Sequence, residues 1–147
     1  MKIDRGPCFI DTNILIYASF PENKFYEKAL DCIETLRPQG LYISRQIVLE
    51  YVSVVTNENI YNQYLTSEEA VENIEVFLEY MSIIEPGTPL DTHALKKYLI
   101  QYAIKRRMVF DLNIYLTMKA NGIPVILTAN EKDFNAFQDI EIINPVK

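Results

Sequence analysis

Five side chains that carry carboxylate or amide oxygens stand near predicted strand ends or within the helices that follow them: Asp11, Glu50, Asp111, Asn130 and Asp133. Because the carboxyl ends of parallel strands meet at one edge of a sheet, we expect these side chains to converge. Several acids gathered there would repel one another unless they were protonated or neutralised by a cation. Hard oxygen ligands without a nearby histidine or thiolate suit Mg²⁺ or Mn²⁺. Such a site can orient a water, lower its pKa and stabilise a phosphoryl transition state.

Each of the four acids also has an interpretation that involves no chemistry. Asp11 and Asp111 could be helix caps, because a side-chain oxygen before a helix accepts from its free backbone N–H groups. Glu50 could lie on the solvated edge of an amphipathic helix, and Asp133 could be a turn residue. The order of the five residues along a chain of alternating strands and helices favours the shared site.

Short apolar runs alternate with segments of helical periodicity along the chain. The runs predict strands at 8–10, 41–43, 82–85, 124–127 and 140–143. The periodic segments predict helices at 14–19, 24–36, 45–56, 67–81, 92–105 and 112–121, with Ser67 and Asp111 among the caps. Strands that alternate with helices imply a parallel sheet with right-handed crossovers. The predicted fold class is α/β, a single three-layer α/β/α domain over residues 1–147 with a central, mainly parallel sheet.

The composition limits the classes of function. The chain has 147 residues, of which 49% are hydrophobic, and this suits one globular domain. A net charge of −6 and a pI of about 4.8 argue against broad non-specific binding of nucleic acid. They do not exclude a nuclease, because bound metal would offset an acidic cluster. No apolar run is long enough to span a bilayer, so we expect a cytoplasmic protein.

Cysteine and glycine content weakens other functional classes. Cys8 and Cys32 are isolated in apolar patterns, which fits neither a zinc site nor a disulfide framework, so we expect both to be reduced core residues. The four glycines form no phosphate-binding loop, which argues against a nucleotide or dinucleotide binder.

The basic residues offer candidate phosphate contacts. Arg106 and Arg107 stand shortly before Asp111, and Arg45 begins the helix that carries Glu50. Contacts to phosphate would place a nucleic-acid backbone near the acidic residues. The alternative for the cluster at 96–107 is a solvated helix face with a positive C-terminal end.

Four segments resemble the PIN-domain ribonucleases, and most closely the VapC-type toxins of bacterial and archaeal toxin–antitoxin pairs. They are Phe9-Ile10-Asp11-Thr12-Asn13, the helix carrying Glu50, the stretch 111–122, and Val125-Ile126-Leu127-Thr128-Ala129-Asn130-Glu131-Lys132-Asp133-Phe134. The order and approximate spacing hold over nearly the whole chain, which implies a PIN-like fold.

The resemblance implies that Asp11, Glu50 and Asp111 ligate Mg²⁺ or Mn²⁺. Many members carry a fourth acid where this chain has Asn130, which offers an oxygen without a charge. Asp133, three residues on, is the other candidate for the fourth ligand. The choice between these two residues, and between one metal ion and two, stays open.

The resemblance also implies a pocket that meets substrate. Thr12 or Asn13 would shape it, and the loop that begins with Thr128 would complete it. Three tyrosines are candidates either for stacking on RNA bases or for packing in the core and its rim: Tyr51, Tyr61 and Tyr64. The only histidine, His93, has no nucleophile near it and is interpreted as a first-turn helix residue.

The expected function is a metal-dependent endoribonuclease that hydrolyses RNA phosphodiester bonds with a metal-activated water. The resemblance adds a toxin role, an antitoxin partner whose tail fills the site, and a homodimer. A catalytically weak or inactive PIN-like interaction module is the alternative. A phosphatase that forms an aspartyl-phosphate at Asp11 is a weaker one, since residues 12–20 supply neither a second acid nor a lysine.

Overall fold

Five parallel strands form the centre of the fold in this computed structural model, which describes residues 5–60 and 62–147. The strands are β1 (Cys8–Ile10), β2 (Leu41–Ser44), β3 (Ser82–Ile84), β4 (Val125–Leu127) and β5 (Glu141–Ile143). Their spatial order is β3-β2-β1-β4-β5, and each neighbouring pair is parallel. All residues of β1 and β4 are buried, as expected for apolar strands covered on both faces.

Six helices connect these strands in the described part of the chain. They are α1 (Thr12–Tyr17), α2 (Tyr26–Leu36), α3 (Arg45–Val55), α4 (Ser67–Phe77), α5 (Thr92–Gln101) and α6 (Met108–Ala120). The chain moves from β1 to β2 to β3 in one direction and then returns across the sheet to β4. Because right-handed crossovers in opposite directions place their helices on opposite faces, α1–α4 cover one face and α5–α6 the other. The predicted three-layer α/β/α fold with a parallel sheet is confirmed.

The start of α6 corrects one prediction. Asp111 was expected to cap this helix, but the helix begins at Met108, so Asp111 is its fourth residue. Arg106 has a φ of +58° and forms the turn that leads into the helix. The apolar stretch 108–110 is therefore the exposed first turn of α6.

Other helix boundaries differ from the predictions by a few residues. Thr66, not Ser67, caps α4: its hydroxyl accepts from the Glu69 backbone, while the Glu69 side chain accepts from the Thr66 backbone. This reciprocal pair is a capping box. α2 begins two residues later than predicted, at Tyr26, and α5 ends at Gln101 instead of about 105.

Several smaller predictions concern single residues. Cys8 is buried, Cys32 is partly buried, and both are free thiols. Tyr51 is fully buried, and its hydroxyl lies 2.7 Å from that of Ser19, so this ring packs in the core and does not stack on a ligand. Tyr64 is exposed, while Tyr61 lies outside the described residues. Among those residues, no helix is long and apolar enough to cross a membrane.

Candidate active site

The candidate site lies where the chain changes direction across the sheet. From β1 the chain passes to β2 on one side, whereas β4 pairs with β1 on the other side. The carboxyl ends of β1 and β4 are joined by a hydrogen bond from the Asp11 N–H to the Leu127 carbonyl, 3.0 Å long. A crevice outside such a reversal is where open α/β sheets bind ligands. Asp11 therefore stands at this crevice because of the topology of the sheet.

The Asp11 carboxylate is held by three donors. Its Oδ1 accepts from the Thr12 backbone at 2.8 Å, and its Oδ2 accepts from Thr128 Oγ1 at 2.7 Å and from Asn13 Nδ2 at 3.3 Å. Only 7% of Asp11 is exposed. Burial raises the pKa of Asp11 above its ordinary value, while the hydrogen bonds from Thr128 and Thr12 act in the opposite direction. Nearby Glu50 adds to the upward shift of the pKa.

The loop after β4 is anchored to the start of α1. Asn13 Oδ1 accepts from the Ala129 N–H at 3.1 Å, and Thr128 Oγ1 accepts from the Asn130 N–H at 3.0 Å. Thr128 is fully buried beneath Asp11. These contacts fix the beginning of the loop that carries Asn130 and, in a short 3₁₀ turn (Glu131–Asp133), Asp133.

Glu50 enters the site from α3, which packs against α1. Its Oε2 accepts from Thr12 Oγ1 at 2.9 Å, and its Oε1 accepts from Gln46 Nε2 at 3.1 Å. Thr12 thus contacts two acids, with its backbone on Asp11 and its hydroxyl on Glu50. Each oxygen of the Glu50 carboxylate is therefore held by a hydrogen bond from a neighbouring side chain.

The protonation of Asp111 is strongly perturbed as well. Burial raises the pKa of Asp111 from 3.8 to about 7, and the negative charges of Asp133, Asp11 and Glu50 add to this rise, in that order. Arg107 opposes it. Carboxylates that raise one another's pKa share a site in which their mutual repulsion is not neutralised. Groups of this kind, when they lie in a cleft, mark candidate functional sites.

One cavity of about 500 Å³ contains all five oxygen-bearing side chains singled out from the sequence. Its lining comprises Asp11, Thr12, Asn13, Ile16, Glu50, Ser53, Val54, Arg107, Met108, Phe110, Asp111, Ile114, Asn130 and Asp133. Within residues 5–60 and 62–147, no three acidic, histidine or cysteine side chains lie close enough together to coordinate a metal ion in their present conformations. Instead, the carboxylates of Asp11 and Glu50 accept hydrogen bonds from protein donors. The donor set fits Mg²⁺ or Mn²⁺, since carboxylate and amide oxygens are their usual ligands.

Three predicted substrate contacts do not line this cavity. Arg45 makes a surface ion pair with Glu85, 3.2 Å long, and lines a neighbouring cavity. Arg106 is exposed in the turn before α6, because the helix begins after it. Thr128 is turned inward as a donor to Asp11. Arg107 does line the cavity, together with Thr12 and Asn13.

Sequence reasoning missed two polar residues beside the acids, Gln46 and Asn113. Asn113 Nδ2 donates to Gln46 Oε1 at 2.6 Å, and Gln46 also contacts Glu50. The four-residue spacing from Gln46 to Glu50 could have indicated their contact, because such pairs are neighbours on a helix. Nothing local predicts the partnership with Asn113, which is 67 residues away.

Comparison with known proteins gives concordant results. Residues 8–140 match the sequence model of the PIN domain. Ribonuclease VapC48 of Mycobacterium tuberculosis, in strains CDC 1551 and H37Rv, is 27% identical over 138 residues, which is 92% of this chain and 94% of the relative.

Solved structures share the fold at lower sequence identity. VapBC2 from Rickettsia felis, bound to a promoter DNA fragment, superposes with a TM-score of 0.68 and 21% identity over 94% of this chain and 98% of the other. The sarcin-ricin loop cleaving toxin VapC20 from Mycobacterium tuberculosis superposes with a TM-score of 0.66 and 16% identity. The match covers 93% of this chain and 99% of the other. Since the family model spans most of the sequence and the architecture agrees, this chain belongs to the PIN domain family.

Proposed function

We propose that this protein is a metal-dependent endoribonuclease and the toxin of a type II toxin–antitoxin pair. The observation that carries the proposal is the convergence of Asp11, Glu50, Asp111, Asn130 and Asp133 on one cavity at the switch point of the sheet. The likeness to Ribonuclease VapC48 over 92% of the chain supports the reaction class.

Asp11, Glu50 and Asp111 would hold Mg²⁺ or Mn²⁺, with Asn130 or Asp133 as a further oxygen ligand. When bound, the cation supplies charge neutralisation for the carboxylates, a lowered pKa for water, and stabilisation of charge on the phosphoryl group. Thr12 and Thr128 hold the carboxylates of Glu50 and Asp11 in place by hydrogen bonds.

Arg107 is the residue we assign to the RNA backbone. It lines the cavity beside Asp111, and its positive charge lies close enough to lower the pKa of that acid. A guanidinium there would bind a phosphate oxygen and draw the scissile bond toward the acids. Thr12 and Asn13 are further candidates for substrate contact at the cavity wall, and Arg45 would meet RNA outside it.

An antitoxin is the expected protein partner. The similar structures include complexes described as VapBC from Rickettsia felis and Salmonella typhimurium, both bound to DNA. We propose that the antitoxin of this chain covers the acidic cavity and suppresses cleavage, and that the toxin acts in the cytoplasm.

We also propose that the toxin is a homodimer. The structure exposes Val71 and Val76 on α4, and it leaves Tyr26 and Leu30 of α2 partly exposed. Exposed apolar residues that cluster mark interfaces. Light scattering at micromolar concentration should give twice the monomer mass, and a monomer would contradict this proposal.

Cleavage assays on purified protein test the enzymatic proposal. RNA should be cleaved with Mn²⁺ or Mg²⁺, and EDTA should stop the reaction. Asp11→Asn should reduce the rate by at least about a hundredfold, because it removes a charge from the proposed metal site. Asp31→Asn, on the exposed side of α2, is the matched control and should cleave as the unmodified protein does.

The same assay separates the enzyme from a non-catalytic interaction module. If RNA stays intact with every divalent cation, or if Asp11→Asn cleaves as fast as Asp31→Asn, the proposal is wrong and the module is favoured. Trapping of a covalent phosphate on Asp11 would instead indicate a phosphatase.

A further inference from the structure

A glutamine on α3 links the helices that carry two of the acids. Gln46 lies one helical turn before Glu50, and its Nε2 donates to Glu50 Oε1 at 3.1 Å. The same nitrogen donates to the backbone carbonyl of Phe110 at 3.1 Å. One amide group therefore contacts the Glu50 carboxylate and the residue that immediately precedes Asp111.

Asn113 sets the orientation of this amide. Its Nδ2 donates to Gln46 Oε1 at 2.6 Å, so the oxygen of Gln46 faces Asn113 and the nitrogen faces Glu50. The reverse orientation would place a carbonyl oxygen against the Glu50 carboxylate. A side-chain amide carries both a donor group and an acceptor, and this position uses both. A carboxylate of the same shape has no donor, and an apolar side chain has neither.

The two contacts of Gln46 on α6 flank Asp111 in sequence. Phe110 precedes Asp111 and Asn113 follows it by two residues, so the amide clamps this turn of α6 against α3. Thr12 holds the other oxygen of Glu50 at 2.9 Å. The Glu50 carboxylate is thus fixed at both oxygens, and one of the two fixing groups is also tied to the helix of Asp111.

We infer that Gln46 is a positioning residue that, with Asn113, sets the place of the Glu50 carboxylate relative to Asp111 for binding of a divalent cation. This inference rests on the proposed function. Gln46 needs no contact with substrate for this role. Groups that orient the ligands of a metal commonly change its affinity by 10–100-fold when they are removed.

Calorimetric titration of Mn²⁺ into the RNA-free protein tests the inference. Gln46→Met keeps the length of the side chain and removes its three hydrogen bonds, and we expect Mn²⁺ affinity to fall about 10–100-fold. Asn113→Ala, at an exposed position, removes the donor that orients the amide without adding a charge, and should weaken Mn²⁺ binding in the same direction. In cleavage assays, both variants should need more Mn²⁺ for half-maximal rate and should recover much of the rate at saturating Mn²⁺.

The control is Gln101→Met, the same substitution at an exposed glutamine on α5. Its Mn²⁺ affinity and cleavage should match those of the unmodified protein. If Gln46→Met and Asn113→Ala lower the melting temperature but bind Mn²⁺ as tightly as the control does, the role of the amide is structural and the inference is wrong.

Failure of the proposed function gives a different result. Unmodified protein that neither binds Mn²⁺ nor cleaves RNA would overturn the nuclease and this inference together. Unmodified protein that binds Mn²⁺ and cleaves RNA, alongside Gln46→Met and Asn113→Ala variants with unchanged Mn²⁺ affinity, would overturn the inference alone. If Gln46→Met fails to fold, Asn113→Ala with unchanged Mn²⁺ affinity is sufficient to reject it.

Discussion

Replacing Asp111 by asparagine should stabilise the metal-free protein at alkaline pH. The pKa of the Asp111 carboxyl is raised from 3.8 to about 7, first by burial and then by the charges of Asp133, Asp11 and Glu50. Between these two pH values the folded state holds a proton that the unfolded state has lost, so the wild-type protein loses stability as pH rises. Above about pH 7 the loss is complete. The asparagine side chain of the variant carries no charge and therefore avoids this loss.

The size of the effect follows from the pKa. A rise from 3.8 to about 7 would correspond to about 4 kcal/mol at 1.36 kcal/mol per pKa unit. Because Asp111 is only half-buried, solvent screening reduces this to about 1–2 kcal/mol. A negative charge in the first turn of a helix is itself favourable by about 0.3–1 kcal/mol, which the variant gives up. The net gain expected for Asp111→Asn is about 1 kcal/mol, or about 2–4 °C in melting temperature.

Thermal melts in EDTA at several pH values measure this gain. It should be largest above about pH 7 and should vanish below about pH 3, where the carboxyl is protonated in both states. Asp31→Asn, which changes an exposed acid on α2, should show no such trend. With Mn²⁺ at a hundred times its dissociation constant, the unmodified protein should gain about 2.7 kcal/mol and Asp111→Asn much less. A variant that is destabilised equally at all pH values would refute the argument from repulsion.

Three further predictions concern the walls of the same cavity. Asp133→Ala should lower the single-turnover cleavage rate at saturating Mn²⁺ more than Asn130→Ala does, because the neutral amide of Asn130 cannot supply the negative charge of a fourth acid. Equal or reversed losses of rate would remove Asp133 from the site. Arg107→Met should weaken RNA binding and reduce the slope of log affinity against log salt by about one, as measured by fluorescence anisotropy, and an unchanged slope would contradict a phosphate contact. Thr128→Val should lower the free energy of unfolding, measured with urea, by about 1.5–3 kcal/mol, since it removes a 2.7 Å hydrogen bond to the buried carboxylate of Asp11. A loss below about 0.5 kcal/mol would mean that this hydrogen bond contributes little.

The sequence by itself determined most of the architecture. Apolar runs such as 125–127 are buried on both faces of a parallel sheet, so their hydrophobicity alone identifies them as central strands. Asp11 could be placed at a strand end for the same reason, since the apolar run of β1 stops at Ile10. The start of α6 was harder to predict from the sequence, because the apolar residues 108–110 contain no typical capping residue. Asp111 was therefore predicted to cap the helix, although it lies inside it.

Only the tertiary structure decided which polar groups meet. The hydrogen bond from Thr128 to Asp11 spans 117 residues and that from Asn113 to Gln46 spans 67, and no local pattern encodes either. The reversal of chain direction beside β1 brings Asp11 and Thr128 together, because it makes β4 the neighbour of β1. The tertiary structure likewise places Arg107 at the cavity and leaves Arg45 paired with Glu85 outside it. Residue type and order fixed the chemistry available to this chain, whereas the distances between groups came from the assembly of the sheet and its two helical layers.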